Sequence, residues 1–178
     1  KDYKNTNRKF LVYGPTGSGK STAFLTFPGK KFAYIFDPAG LESFAGYDVD
    51  YEYFAPRMVG IKKGQLSKGS KQAELIRIDP TIYVRFEEHL EAGLANGFFD
   101  KYSMIAIESA TVMMDLMMMH ILDTQNRGNK APEIADYYYR TDGMSNVIRA
   151  LSSVEKAIYI TAHIETKQDE VTRRIETS

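Results

Sequence analysis

Eight consecutive residues carry the most specific chemistry in this chain: Gly14, Pro15, Thr16, Gly17, Ser18, Gly19, Lys20 and Ser21 spell G-x-x-x-x-G-K-S. Glycines at 14, 17 and 19 allow positive-φ backbone and let the chain approach a phosphate with no Cβ in the way. Successive N–H groups then converge on a β-phosphate at the start of a helix, where the peptide dipoles favour an anion. Lys20 reaches the β/γ oxygens as a point charge, and the Ser21 hydroxyl ligates Mg²⁺; Thr22 completes the expected binding set. An apolar run from Lys9 to Tyr13 precedes the loop, and residues 21–27 begin a helix after it, the strand–loop–helix context that the motif requires. The rival reading is an incidental glycine-rich turn. The segment predicts binding of a nucleoside triphosphate with Mg²⁺.

A triphosphate site also needs an acid near the metal, at the end of a hydrophobic strand beside the loop. Met104, Ile105, Ala106 and Ile107 followed by Glu108 and Ser109 meet that description. A glutamate here holds a metal-bound water as an aspartate does, one methylene further out; the alternative is a helix-capping Glu-Ser pair with no metal role. The methionine run over 113–119 reads as core packing, since Met113, Leu116, Met117 and His120 share one helical face and thioethers fill irregular gaps. His89, among Glu87, Glu88 and Glu91, reads as solvent-facing. No pair of histidines has metal-ligand spacing, so zinc is not expected.

The elements that must position these groups alternate strand and helix, which predicts an α/β fold with a mainly parallel sheet covered on both faces. Strands are expected over 32–36, 51–54, 102–107 and 157–161. Asp79 and Pro80 start a helix whose apolar positions Ile82, Phe86, Leu90 and Leu94 recur every four residues, ending near Asn96 and Gly97. A second helix runs from Ser109 to about Gln125, and a third from Pro132 to Ser153, interrupted at Thr141, Asp142 and Gly143, where Asp142 caps a second segment.

Composition sets the outer bounds. With 178 residues, 43% of them hydrophobic, one domain with a sizeable core is expected, and no repeat or low-complexity linker suggests a second. The net charge is zero, so no global field draws in nucleic acid or anionic membrane. No cysteine is present, which removes disulfides and thiolate metal sites; no apolar stretch approaches membrane length, and the start reads as too polar for a signal peptide. A cytoplasmic setting is the expectation, with both ends of the chain trimmed.

The loop at 14–21, the strand ending at Asp37, the sequence Glu108, Ser109, Ala110, Thr111, and a last strand ending in Thr161, Ala162, His163 together resemble RecA-like ATPases, phage-encoded members associated with single-strand-annealing recombination in particular. The resemblance extends over most of 9–176, although 55–80 and 126–131 match nothing in it. It implies a RecA-like P-loop core, ATP rather than GTP as ligand, Mg²⁺, single-stranded DNA as partner, a homo-oligomeric working form, and a bacterial or phage-infected cytoplasm. It also implies Lys20, Glu108 and His163 as candidate catalytic residues, with Ser21 and Glu108 holding the metal. His163 is placed to contact the γ-phosphate, or is a structural histidine. RecA-like enzymes carry a water-orienting glutamate two residues past the strand-ending aspartate, and Ala39 stands there in this chain. Glu42 one turn on, Glu108 in a double role, or weak hydrolysis are the three explanations.

Between Arg57 and Arg77, six cations (Arg57, Lys62, Lys63, Lys68, Lys71, Arg77) face one acid, Glu74. This 57–78 basic insertion either tracks a phosphate backbone or is a solvated hairpin or subunit contact. Arg127 and Lys130 form a second basic loop; the tyrosines at 137–139 beside Arg140 stack on bases or simply pack. Arg173 and Arg174 are candidate arginine fingers across a subunit boundary. Two other functions compete: a small-molecule P-loop kinase with Asp37 on the acceptor hydroxyl and 57–78 as a lid, and a non-catalytic nucleotide-dependent accessory in DNA packaging or loading.

Overall fold

The computed structural model describes residues 8–60, 76–128, 130–164, 166–168 and 175–177. In chain order the elements are β1 (Lys9–Gly14), α1 (Lys20–Leu25), β2 (Lys31–Ile35), α2 (Pro38–Phe44), β3 (Val49–Tyr53), β4 (Met58–Gly60), β5 (Ile76–Ile78), α3 (Thr81–Ala95), a 3-10 turn (Phe98–Lys101), β6 (Met104–Glu108), α4 (Ala110–Thr124), α5 (Ile134–Ser153), β7 (Ala157–His163), β8 (Thr166–Gln168) and β9 (Ile175–Thr177). Five strands form one all-parallel sheet in the order β1-β7-β6-β2-β3. The strands β2 and β6 are buried at every position, which is why 32–35 and 104–107 read as apolar runs, with Lys31 and Glu108 the charged residues at their ends.

Each face of the sheet has its own core. On one side Ala33, Ile35, Ala106 and Tyr159 pack with Phe24 of α1 and Phe44 of α2. On the other, Tyr34, Ile105, Ile107 and Ile158 meet Phe86 and Leu90 of α3, Met113 and Met117 of α4, and Val147 and Leu151 of α5. The methionine helix is core packing: Met113 and Met117 are fully or almost fully buried, and His120 lies beside the Tyr83 ring. The Asp79 carboxylate accepts from the Thr81 N–H and hydroxyl to start α3, and Gly97 at φ 74°, just past its end, leads into the 3-10 turn.

Two expectations need correction. The helix α5 runs unbroken through Thr141, Asp142 and Gly143. Its start is held by a reciprocal capping box between Glu133 and Asp136. Gly143 is there for contact, since a Cβ at that position would lie 2.7 Å from the Met117 sulfur. His89 is not solvent-facing: its Nδ1 is 3.0 Å from the Tyr34 hydroxyl, and its ring packs among Phe32, Phe54 and Phe98.

The basic insertion enters and leaves through the antiparallel pair β4–β5, with Gly60 opposite Ile76. Arg57 is committed there to an ion pair with the buried Asp79. Residues 61–75, with Lys62, Lys63, Lys68 and Lys71, lie outside the described residues, as do Arg173 and Arg174. Arg127 is also spoken for. It bonds both oxygens of Asp136 at 3.0 and 2.9 Å and pairs with Glu133, closing the loop ahead of α5. The rings at 137–139 are exposed, and Arg140 lies 5.0 Å from the centre of the Tyr137 ring.

Candidate nucleotide-binding site

Parallel strands bring their carboxyl ends to one edge, and ligands of open α/β sheets bind there. At that edge β1 delivers the loop 14–21, β6 delivers Glu108, β2 delivers Asp37, and β7, lying between β1 and β6, delivers His163. Thr16, Gly17, Ser18, Gly19, Lys20, Ser21, Thr22, Asp37, Ala39, Gly40, Ser43, Glu108 and His163 line one cleft of about 140 Å³.

Within the loop, Gly17 and Gly19 adopt φ of 78° and 82°, as the spacing predicts. Gly14 does not; it closes β1, and a Cβ there would approach the Ser18 hydroxyl to 3.0 Å. Its constraint is a close approach, not a dihedral. Gly19 leads directly into α1, whose first N–H groups have no intrahelical partner and face the loop. Lys20 is buried, its Nζ 2.9 Å from each of the Gly14 and Pro15 carbonyls, so its charge is held at the mouth of the loop. The Tyr159 hydroxyl donates to the Lys20 carbonyl at 2.8 Å, tying the start of α1 to the centre of the sheet.

Glu108 is 4% exposed. Burial pushes its carboxyl above the ordinary range, and the hydroxyls of Thr161 and Ser21, with His163 and Lys20 nearby, offset part of that rise. Ser109 caps α4 through its hydroxyl, 3.4 Å from the Val112 N–H, so Glu108 itself is free of capping duty. Ser21 and Glu108 therefore meet, a hydroxyl and a carboxylate beside a buried lysine. Hard oxygen donors of this kind fit Mg²⁺, which keeps most of its waters and takes one or two protein ligands.

Asp37 caps α2, its Oδ1 2.9 Å from the Ala39 N–H, and its Oδ2 lies 3.1 Å from His163 Nε2. The His163 backbone N–H donates to Thr111 at 2.9 Å. Glu42 is exposed on α2 and is not among the residues lining the cleft. Sequence reasoning missed Gly40, whose Cβ would come within 2.7 Å of the Glu108 side chain, and the anchoring role of Tyr159. Nothing in the local sequence signals either; both are set by how α2 and α1 lie on the sheet.

A glycine loop joining a parallel strand to a helix, with a lysine, a hydroxyl and a strand-end carboxylate converging on it, defines a P-loop nucleotide-binding core of the ATPase type. A family profile described as an AAA domain matches residues 6–177, and the chain belongs to that family. No curated protein matches the chain. Among the described residues, no helix is long and apolar enough to cross a membrane.

Proposed function

We propose that this protein is a Mg²⁺-dependent ATPase of RecA-like type that acts on single-stranded DNA in phage-type recombination or repair, working as a homo-oligomer. The observation that carries the nucleotide half is the meeting of Ser21 and Glu108 beside Lys20 in one cleft. The loop N–H groups and Lys20 bind and orient the β- and γ-phosphates. Ser21 and Glu108 would hold the metal, which supplies charge neutralisation across the phosphates when bound. His163, at the tip of the strand between the loop and Glu108, lines the same cleft with its Nε2 turned to Asp37. The RecA-like assignment draws support from the Thr161–His163 strand end lying next to the loop strand. The DNA half draws support from the cation-rich 57–77 segment and from the exposed rings at 137–139; Arg57 and Arg127, engaged with Asp79 and Asp136, are not part of it.

An ATPase assay with and without single-stranded DNA, across a protein concentration series, tests all parts together. Lys20-dependent turnover that rises with DNA and with protein concentration is expected, and Lys20→Ala abolishes it. Turnover indifferent to DNA at low salt removes the nucleic-acid part. Labelled phosphate appearing on a small acceptor instead of in water turns the assignment to a kinase.

A further inference from the structure

Hydrolysis needs a group that orients the attacking water, and Ala39, where the resemblance places a carboxylate, has none. Glu42 does not line the cleft. Glu108 is buried and turned to the Ser21 and Thr161 hydroxyls. Asp37 is different: it lines the cleft, its side chain is 21% exposed, and its position is fixed on both oxygens. One oxygen accepts from the Ala39 N–H at 2.9 Å and the other lies 3.1 Å from His163 Nε2. A carboxylate offers about four lone-pair directions, so two stay available to a water in the cleft.

The partner is held as firmly. His163 is pinned through its backbone to Thr111 on α4, and its Nδ1 is buried with no partner among the described residues. With Nε2 turned to Asp37, the proton belongs on Nε2, and the ring donates to the carboxylate. The charged groups facing this pair across the cleft are Lys20 and Glu108.

We propose that Asp37 is the group that orients and deprotonates the attacking water, and that His163 is its positioning residue; this rests on the ATPase reading above. In the step, the water oxygen bonds to the γ-phosphorus as the bond from that phosphorus to the bridging oxygen breaks. ADP leaves with the electron pair of that bond. The Asp37 carboxylate takes the water proton and later releases it to solvent.

The test compares Asp37→Asn, His163→Ala, His163→Gln and Glu42→Ala by steady-state turnover, with nucleotide affinity measured separately by a fluorescent ATP analogue. Asparagine retains the helix cap, so Asp37→Asn is expected to fold, with turnover down about 100-fold or more and affinity within threefold. His163→Ala should lose about tenfold with unchanged affinity, and His163→Gln, which keeps a donor toward Asp37, should restore most of it. Turnover unchanged in Asp37→Asn, or a loss of that size in Glu42→Ala instead, overturns the assignment. Wild-type protein that binds nucleotide with no Lys20-dependent turnover overturns the ATPase reading itself, a result distinct from turnover that survives Asp37→Asn.

Discussion

Glu108 shows at residue scale how the site trades stability for chemistry. Its carboxyl is pushed up by burial, with only partial relief from Thr161 and Ser21, so the folded protein binds a proton more readily than the unfolded chain does. Stability is therefore greatest below the ordinary glutamate range and falls as pH rises through the window up to the raised value. Glu108→Gln removes the ionisation while keeping acceptor and donor capacity toward both hydroxyls. The melting temperature of the variant should exceed wild type at neutral pH, and the difference should shrink as pH is lowered; Mg²⁺-dependent nucleotide affinity should fall in the same variant. Scanning calorimetry across pH checks the first half, and a variant less stable than wild type at neutral pH contradicts it. Gain of stability on removing a site residue is the expected signature of a strained or desolvated functional group.

At the scale of elements, the site depends on how closely α2 lies against the end of β6. Gly40 is the contact, and its missing Cβ leaves room for the Glu108 Cγ. Gly40→Ala improves helix propensity by about 1 kcal/mol, but the overpacking it causes costs about 1–3 kcal/mol. Net destabilisation is expected, together with at least tenfold weaker turnover, because the displaced atom belongs to the side chain proposed to hold the metal. Denaturant titration and turnover measured side by side separate the two effects. This glycine was illegible in the sequence, where it reads as one small residue in a short helix. By contrast α3 was legible almost to its ends, since its four-residue apolar spacing and Asp79 start signal act locally. The interruption expected in α5 failed because glycine at a helix crossing looks the same, locally, as glycine at a helix break; the contact with Met117 decides between them.

For the whole molecule, a ligand that binds only the folded chain stabilises it by mass action. At 100 times its dissociation constant, ATP with Mg²⁺ should add about 2.7 kcal/mol, or roughly 5–10 °C in melting temperature for a chain of this size. Lys20→Ala should abolish that shift, measured against the variant's own unliganded melting temperature. A shift retained in Lys20→Ala would place the nucleotide somewhere other than the cleft at 14–21.

The ligand class was written in eight adjacent residues, because a phosphate cradle is built from consecutive backbone groups and needs no distant partner. The α/β class was equally local, resting on strand and helix periods that each segment carries by itself. What only the tertiary structure decided is which side chains share the cleft. The order β1-β7-β6-β2-β3 brings Asp37, Glu108 and His163 to one edge, although Asp37 and His163 are 126 positions apart in the chain. Glu42 stays outside, exposed on α2, although Ala39, Gly40 and Ser43 of the same helix line the cleft. Pairing among strands is set by burial of both sheet faces at once, a property of the assembled core, and no stretch of sequence carries it alone.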